Sequence, residues 1–219
     1  MDSQTDVPVN WLIKAYGWAT EQLYHAFAWA YDLVAWLVSF GGWDQWRRDS
    51  LGYLQPGHVL EIGFGTGELL MAMAEMGLDV VGLELSPQMH RVTRRKLRRR
   101  SLVIPRVRGR SEALSFPDNA FDNVVVTFPS NYIARPDTLA AFYRILKPQC
   151  RVVVAGLSVR FTSRWKNALT GWFLNDAGGR MVALLAEEAG KAGFQATVIS
   201  HEGRNYIQPI LILEKPDEN

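Results

Sequence analysis

Cysteine is almost missing from this 219-residue chain: Cys150 stands alone, so no internal disulfide can form. A reducing compartment is the natural expectation. No His–Cys spacing of the zinc type occurs among its four histidines, and no metal is expected. Long apolar runs are also missing. The most apolar stretch, 23–40, is broken by His25, Asp32 and Ser39, which argues against a transmembrane helix. The opening MDSQTDVPVN is acidic and polar, unlike a secretory leader. A cytoplasmic location is expected, with contact at a membrane surface left open.

Net charge is scarce too, at +2, but it is unevenly placed. Residues 91–110 hold ten Lys or Arg and no acid, leaving 14 bases against 22 acids elsewhere, a balance of −8. At helical spacing Arg91, Arg94, Arg95 and Arg98 share one face, while Met89, Val92 and Leu97 gather towards the other. The plain reading is the solvated side of an amphipathic helix. Such a block also suits phosphates of a nucleic acid or an anionic membrane.

What the chain has in strength is VLEIGFGTGELL at 59–70. A short β-type run ends in Gly63, Gly65 and Gly67, and a helical pattern starts at Leu69. A strand feeding a glycine turn into a helix leaves backbone N–H groups unpaired and lets a ligand approach the main chain. Glu68 stands where a dinucleotide fingerprint would have its third glycine, which disfavours an NAD-dependent oxidoreductase. Glu61 brings a carboxylate to the turn. It would repel a pyrophosphate and attract an ammonium or sulfonium.

From Pro56-Gly57 onward the pattern alternates strand and helix: strands at 58–62, 79–84, 102–108, 122–128 and 150–156, helices at 67–76, 87–99 and 136–146. The strands are continuous apolar runs, as in a parallel sheet covered on both faces. A helix at 179–192 and strands near 196–201 and 207–213 complete the set. The hairpin-length link between the last two makes the final strand antiparallel. Ahead of this core, 9–40 reads as helix, with Trp11, Trp18, His25 and Asp32 seven apart and Trp29, Trp36 and Trp43 in a second such series. Residues 1–50 are expected to form a helical appendage acting as a lid over an apolar substrate. Residues 51–219 form the core, with a helical insertion at about 158–178.

The segment VLEIGFGTG resembles motif I of the class I S-adenosylmethionine (SAM)-dependent methyltransferases. GLELSPQM at 82–89, SEALSFPDNAFDNVVVTF at 111–128 and FYRILKPQCRVVV at 142–154 follow in the family's order. The likeness covers roughly residues 50–215 and is greatest to quinone-biosynthesis and other small-molecule members. It implies an α/β fold: a three-layer, Rossmann-like, seven-stranded, mostly parallel sheet whose last strand is reversed. It implies SAM as cofactor and S-adenosylhomocysteine as product, with a small, apolar, quinone- or lipid-like acceptor.

On that resemblance Glu61 serves the methionine end of SAM, and Gly63, Phe64, Gly65, Thr66 and Gly67 form the turn around it. Glu84 accepts from the ribose hydroxyls, Leu85 and Met89 pack on the adenine, and Phe128 faces the substrate side. The family's acidic acceptor for the adenine amino group is replaced by Arg110, which cannot accept a hydrogen bond. Ser111 and Glu112 are the nearest substitutes. The Asn/Asp-Pro-Pro-Tyr/Phe motif of nucleobase amino-methylating members is absent, since residues 127–132 read TFPSNY. Nucleic acid is therefore a disfavoured partner. Tyr132, His25, Tyr31 and His201 are candidate bases or positioning groups. Two alternatives stay open: an RNA methyltransferase using the arginine face, and a non-catalytic SAM-binding partner subunit.

Overall fold

The computed structural model describes residues 41–163 and 176–217. The expected helices at 9–40, with His25 and Tyr31, and most of the insertion at 158–178 lie outside the described residues.

Helix α1 (Trp43–Arg48) runs into a 3-10 turn (Asp49–Tyr53). The core follows in order: β1 (His58–Ile62), α2 (Glu68–Glu75), β2 (Asp79–Glu84), α3 (Pro87–Arg99), β3 (Arg106–Arg108), β4 (Phe121–Thr127), α4 (Pro136–Ile145) and β5 (Leu146–Ala155). The chain then adds β6 (Arg160–Phe161), α5 (Asp176–Lys191), β7 (Gln195–Glu202) and β8 (Tyr206–Glu214). The sheet order is β3-β2-β1-β4-β5-β8, with β6 and β7 both on β8. β1 to β5 are parallel, and β8 runs antiparallel to β5, with Val152 opposite Leu213.

Side-chain alternation divides the buried residues into two layers, as the two-residue period of a strand requires. Leu60, Ile62, Val124, Val126, Val152, Val154, Leu211 and Leu213 face α4 and α5, where Leu139, Phe142, Leu185 and Ala189 wait. Val59, Val125, Val153, Ile210 and Ile212 face the other way, onto Leu69, Leu70, Met73 and Leu97 of α2 and α3. The three-layer α/β arrangement thus follows from strands apolar on both faces.

Local chemistry sets the element ends. Ser86 caps α3 by accepting from the Met89 N–H at 3.4 Å, with Pro87 at the first helical position. Pro136 opens α4 in the same way. Buried Asn123 clamps the link before β1 to β4: its Oδ1 accepts from the Gln55 N–H and its Nδ2 donates to the Gln55 carbonyl, both at 2.8 Å.

Two expectations are corrected. The sheet gains an eighth strand, since Arg160 and Phe161 pair with Ile207 and Tyr206 where a helical insertion was read. The buried Phe161 ring draws this segment onto Trp46 and Tyr206. The third strand covers only 106–108, because Ser101 takes a left-handed turn and Pro105 interrupts the run before it.

Candidate active site

In the order β3-β2-β1-β4-β5 the chain steps outward from β1 and then returns to its other side, so β1 and β4 flank a reversal in strand order. Ligands of open α/β sheets bind outside the carboxyl ends of strands at such a point. The glycine turn lies there. Gly63, Gly65 and Gly67 have φ of +71°, +53° and +80°, which residues with a Cβ rarely adopt. A Cβ at Gly65 would find nothing nearer than the Gly63 carbonyl at 4.0 Å, and one at Gly63 would meet only the Tyr132 hydroxyl, at 3.6 Å. Both therefore face open space. At Gly67 the same atom would lie 2.5 Å from Cγ2 of Thr93, so this glycine serves packing.

The turn is fixed from behind. The Gly63 N–H donates to the Leu83 carbonyl at 2.7 Å, and the Thr93 hydroxyl donates to the Gly65 carbonyl at 3.0 Å. Glu84 ties the loop to the next helix: its carboxylate accepts from the Gly65 N–H at 3.0 Å and the Ser86 N–H at 2.7 Å. Phe64 is buried, edge-on to His90, and fills the space left by Gly82. Thr66 is buried in the turn. Glu68 pairs with Lys96 of α3 at 2.7 Å.

Glu61 is the electrostatic centre. It is 2% exposed, and its Oε2 has no hydrogen-bond partner. Burial pushes its pKa up to about 8; the nearby Arg47 charge opposes the rise and the Glu84 charge adds to it. A buried carboxyl with an orphaned oxygen is costly unless a cation comes to it.

Arg47, missed in the sequence, lines a cleft of about 30 Å³ with Trp43, Gly63, Phe64, Gly65, Thr66, Thr127 and Phe128. Asp44 holds its guanidinium at 2.9 and 3.1 Å. The Trp43 ring lies flat on Phe128, with centroids 3.6 Å apart and planes at 11°. Phe128 has φ +50°, and a Cβ on Gly156 would come within 2.5 Å of its ring. Gly156 is what lets that ring lie there. A larger cleft of about 670 Å³ opens beside α4 and α5, away from the turn. Its charges are cancelled internally, Arg144 by Asp118 at 2.6 Å and Lys191 by Glu188 at 2.8 Å.

The remaining candidates separate. Leu85 follows Glu84 and is 49% exposed, an apolar side chain open to contact. Met89 is fully buried, because Met89, Thr93 and Leu97 form the inward face of α3. After β3, Arg110 donates to Glu112 at 2.6 Å, and the Ser111 hydroxyl donates to the same carboxylate at 3.2 Å. The Arg110 bond holds Glu112 below the usual carboxylate range, so it stays a charged acceptor. Tyr132 comes to the donor turn. His201 does not: its ring nitrogens meet the Tyr53 hydroxyl at 3.0 Å and Asp49 at 3.3 Å, on a strand four places from β1. At about 4.8 Å per strand that is roughly 19 Å away. Among the described residues no group of three His, Cys, Asp or Glu could hold a metal ion.

Comparison with known proteins agrees with this geometry. A model of the methyltransferase domain matches residues 59–149, the stretch from β1 into β5. The demethylmenaquinone methyltransferase of Symbiobacterium thermophilum is 32% identical over 177 residues, covering 72% of this chain and 70% of that protein. The chain belongs to the class I SAM-dependent methyltransferases. The demethylmenaquinone methyltransferase of Thermus thermophilus is 36% identical over 130 residues, which cover 57% of this chain and only 59% of that relative. A SAM-dependent methyltransferase of Methanosarcina mazei shares the fold, with TM-score 0.56 and 20% identity over 77% of this chain and 97% of the other.

The site of this class I member fits SAM. The unpaired oxygen of Glu61 complements an α-ammonium, and Glu84 keeps lone pairs for ribose hydroxyls beyond the two backbone bonds it accepts. The open flanks of Gly63 and Gly65 leave room for a ligand against the main chain.

Proposed function

We propose that this protein moves a methyl group from SAM to a small, apolar, quinone-like acceptor. The observation that carries the donor half is the buried Glu61 carboxylate, whose Oε2 has no partner, beside glycines whose ligand side is open. The acceptor half is supported by the names of the relatives and by an aromatic wall above the turn. Trp43 and Phe128 pack against buried Trp46, Val159, Phe161 and Tyr206.

A bound sulfonium supplies an electrophilic methyl carbon and a neutral thioether leaving group. The protein's part is orientation and exclusion of water, and orientation can contribute roughly 7–11 kcal/mol to such a step. Glu61 anchors the ammonium and Arg47 the carboxylate of the methionyl end; Glu84 fixes the ribose. Tyr132, whose hydroxyl overlooks Gly63, positions the acceptor.

The test is incubation of the purified full chain with SAM and a water-soluble demethylated naphthoquinol. Mass spectrometry should show a product heavier by one methyl, with S-adenosylhomocysteine in equal amount. Calorimetry showing no SAM binding would overturn the donor half; binding without methylation of any quinol would overturn the acceptor half.

The Arg47 assignment makes its own prediction. Arg47→Ala should weaken SAM binding by roughly 10- to 100-fold, the loss of a charge-assisted hydrogen bond. Decarboxylated SAM should bind variant and parent alike. A loss of the same size for both ligands would place Arg47 elsewhere in the site.

A further inference from the structure

We propose that the outer face of α3, with the adjoining edge strand β3, docks on an anionic phospholipid bilayer. The four arginines expected on one side of this helix are there and exposed: Arg91, Arg94, Arg95 and Arg98. They span about 10 Å of helix at 1.5 Å per residue. Among the described residues none of the four meets a carboxylate or any other hydrogen-bonding partner. Lys96 and Arg100, on the flank towards α2, are by contrast neutralised by Glu68 and Glu75. The field of the outer face is therefore uncancelled. It continues onto β3, the last strand of the sheet, through Arg106 and Arg108.

The chemistry of the face selects its partner. Residues 91–110 contain no aromatic side chain, Asn or Gln. Single-stranded nucleic acid is held by aromatic platforms on which its bases stack, and this face has none. Apolar groups stand amid the charge instead. Val103, in the turn between α3 and β3, is 96% exposed, and Val107 on β3 is 37% exposed. Uncancelled arginines beside protruding valines complement an anionic headgroup layer over hydrocarbon. Among the described residues no helix is long and apolar enough to cross a membrane.

The inference does not depend on the acceptor's identity, because the face lies outside the donor cleft. It is tested by flotation of the full chain with vesicles of phosphatidylcholine alone or with 30% phosphatidylglycerol, taken as about that fraction for a surface of moderate charge. The parent should float only with the anionic vesicles and should be released as salt rises. Arg91→Gln/Arg94→Gln/Arg95→Gln/Arg98→Gln should lower partitioning by roughly fivefold per arginine, several hundred-fold in all. Val103→Ser should lower it less, and neither variant should change affinity for S-adenosylhomocysteine, the readout that each is folded. Flotation that ignores these substitutions would overturn the proposal. So would failure to float with anionic vesicles, whether or not the protein binds a homopolymeric RNA.

Discussion

Glu61→Gln should lower SAM affinity by about 10- to 150-fold while making the ligand-free protein more stable above pH 5. The binding loss follows from removing the charged partner of an ammonium in a buried site, where a hydrogen bond to a charged group is worth roughly 1.5–3 kcal/mol. The stability gain comes from the same burial. Glu61 titrates near 8 in the folded chain against an ordinary value of 4.5. Between those values the folded state holds a proton that the unfolded state has released, so ligand-free stability falls as pH rises, and the loss is complete above about 8. The ceiling is (8 − 4.5) × 1.36, or ~5 kcal/mol. Glutamine stays neutral and abolishes that slope. Thermal melts at pH 5, 7 and 8.5 should show variant and parent converging at the lowest pH and diverging by several degrees at the highest. Parallel melts with undiminished SAM binding would remove Glu61 from its central place. Calorimetry on the parent at pH 7, in buffers of different ionisation enthalpy, should show close to one proton released as SAM binds.

The second large effect belongs to Glu84. Its two oxygens hold the backbone N–H groups of Gly65 and Ser86, one in the donor turn and one at the start of α3. Glu84→Ala strands both amides in a site that is only 6% exposed. At roughly 1–3 kcal/mol for each of two buried, unsatisfied groups, the loss of stability should be about 2–6 kcal/mol. SAM binding should fall by at least about 100-fold, because the ribose acceptor and the shape of the turn go together. Glu84→Gln keeps one acceptor oxygen and should be much the milder in chemical denaturation. If alanine and glutamine were equally destabilising, the charge of Glu84, and not its bonds to the turn, would be what the fold requires.

Much of this architecture was legible because the chain obeys local rules. β1, β2 and α3 begin and end where the apolar runs, Gly63, Ser86 and Pro87 say they should. β5 instead starts at Leu146, earlier than its apolar run, because Leu146 pairs with Phe121 across a register shift. Nothing within residues 146–150 announces that partner. At the site, Glu61, Glu84 and the glycines could be found because strand, turn and helix bring them together within one unit. Arg47 could not. It precedes β1, and it reaches the cleft only because Trp46 is buried against Phe161 and Tyr206 far along the chain. Met89 took the side of α3 that its helical spacing gave it, inward with Thr93 and Leu97.

The buried Asp49 has one more consequence. Its carboxylate accepts from the Tyr206 hydroxyl and the Gln208 amide, both at 2.6 Å, across 157 and 159 residues of sequence. During synthesis those donors emerge long after Asp49 does, so the segment carrying Trp43 and Arg47 cannot make these contacts until β8 has been made. A nascent chain therefore has the turn after β1 in place well before the segment beside it can dock.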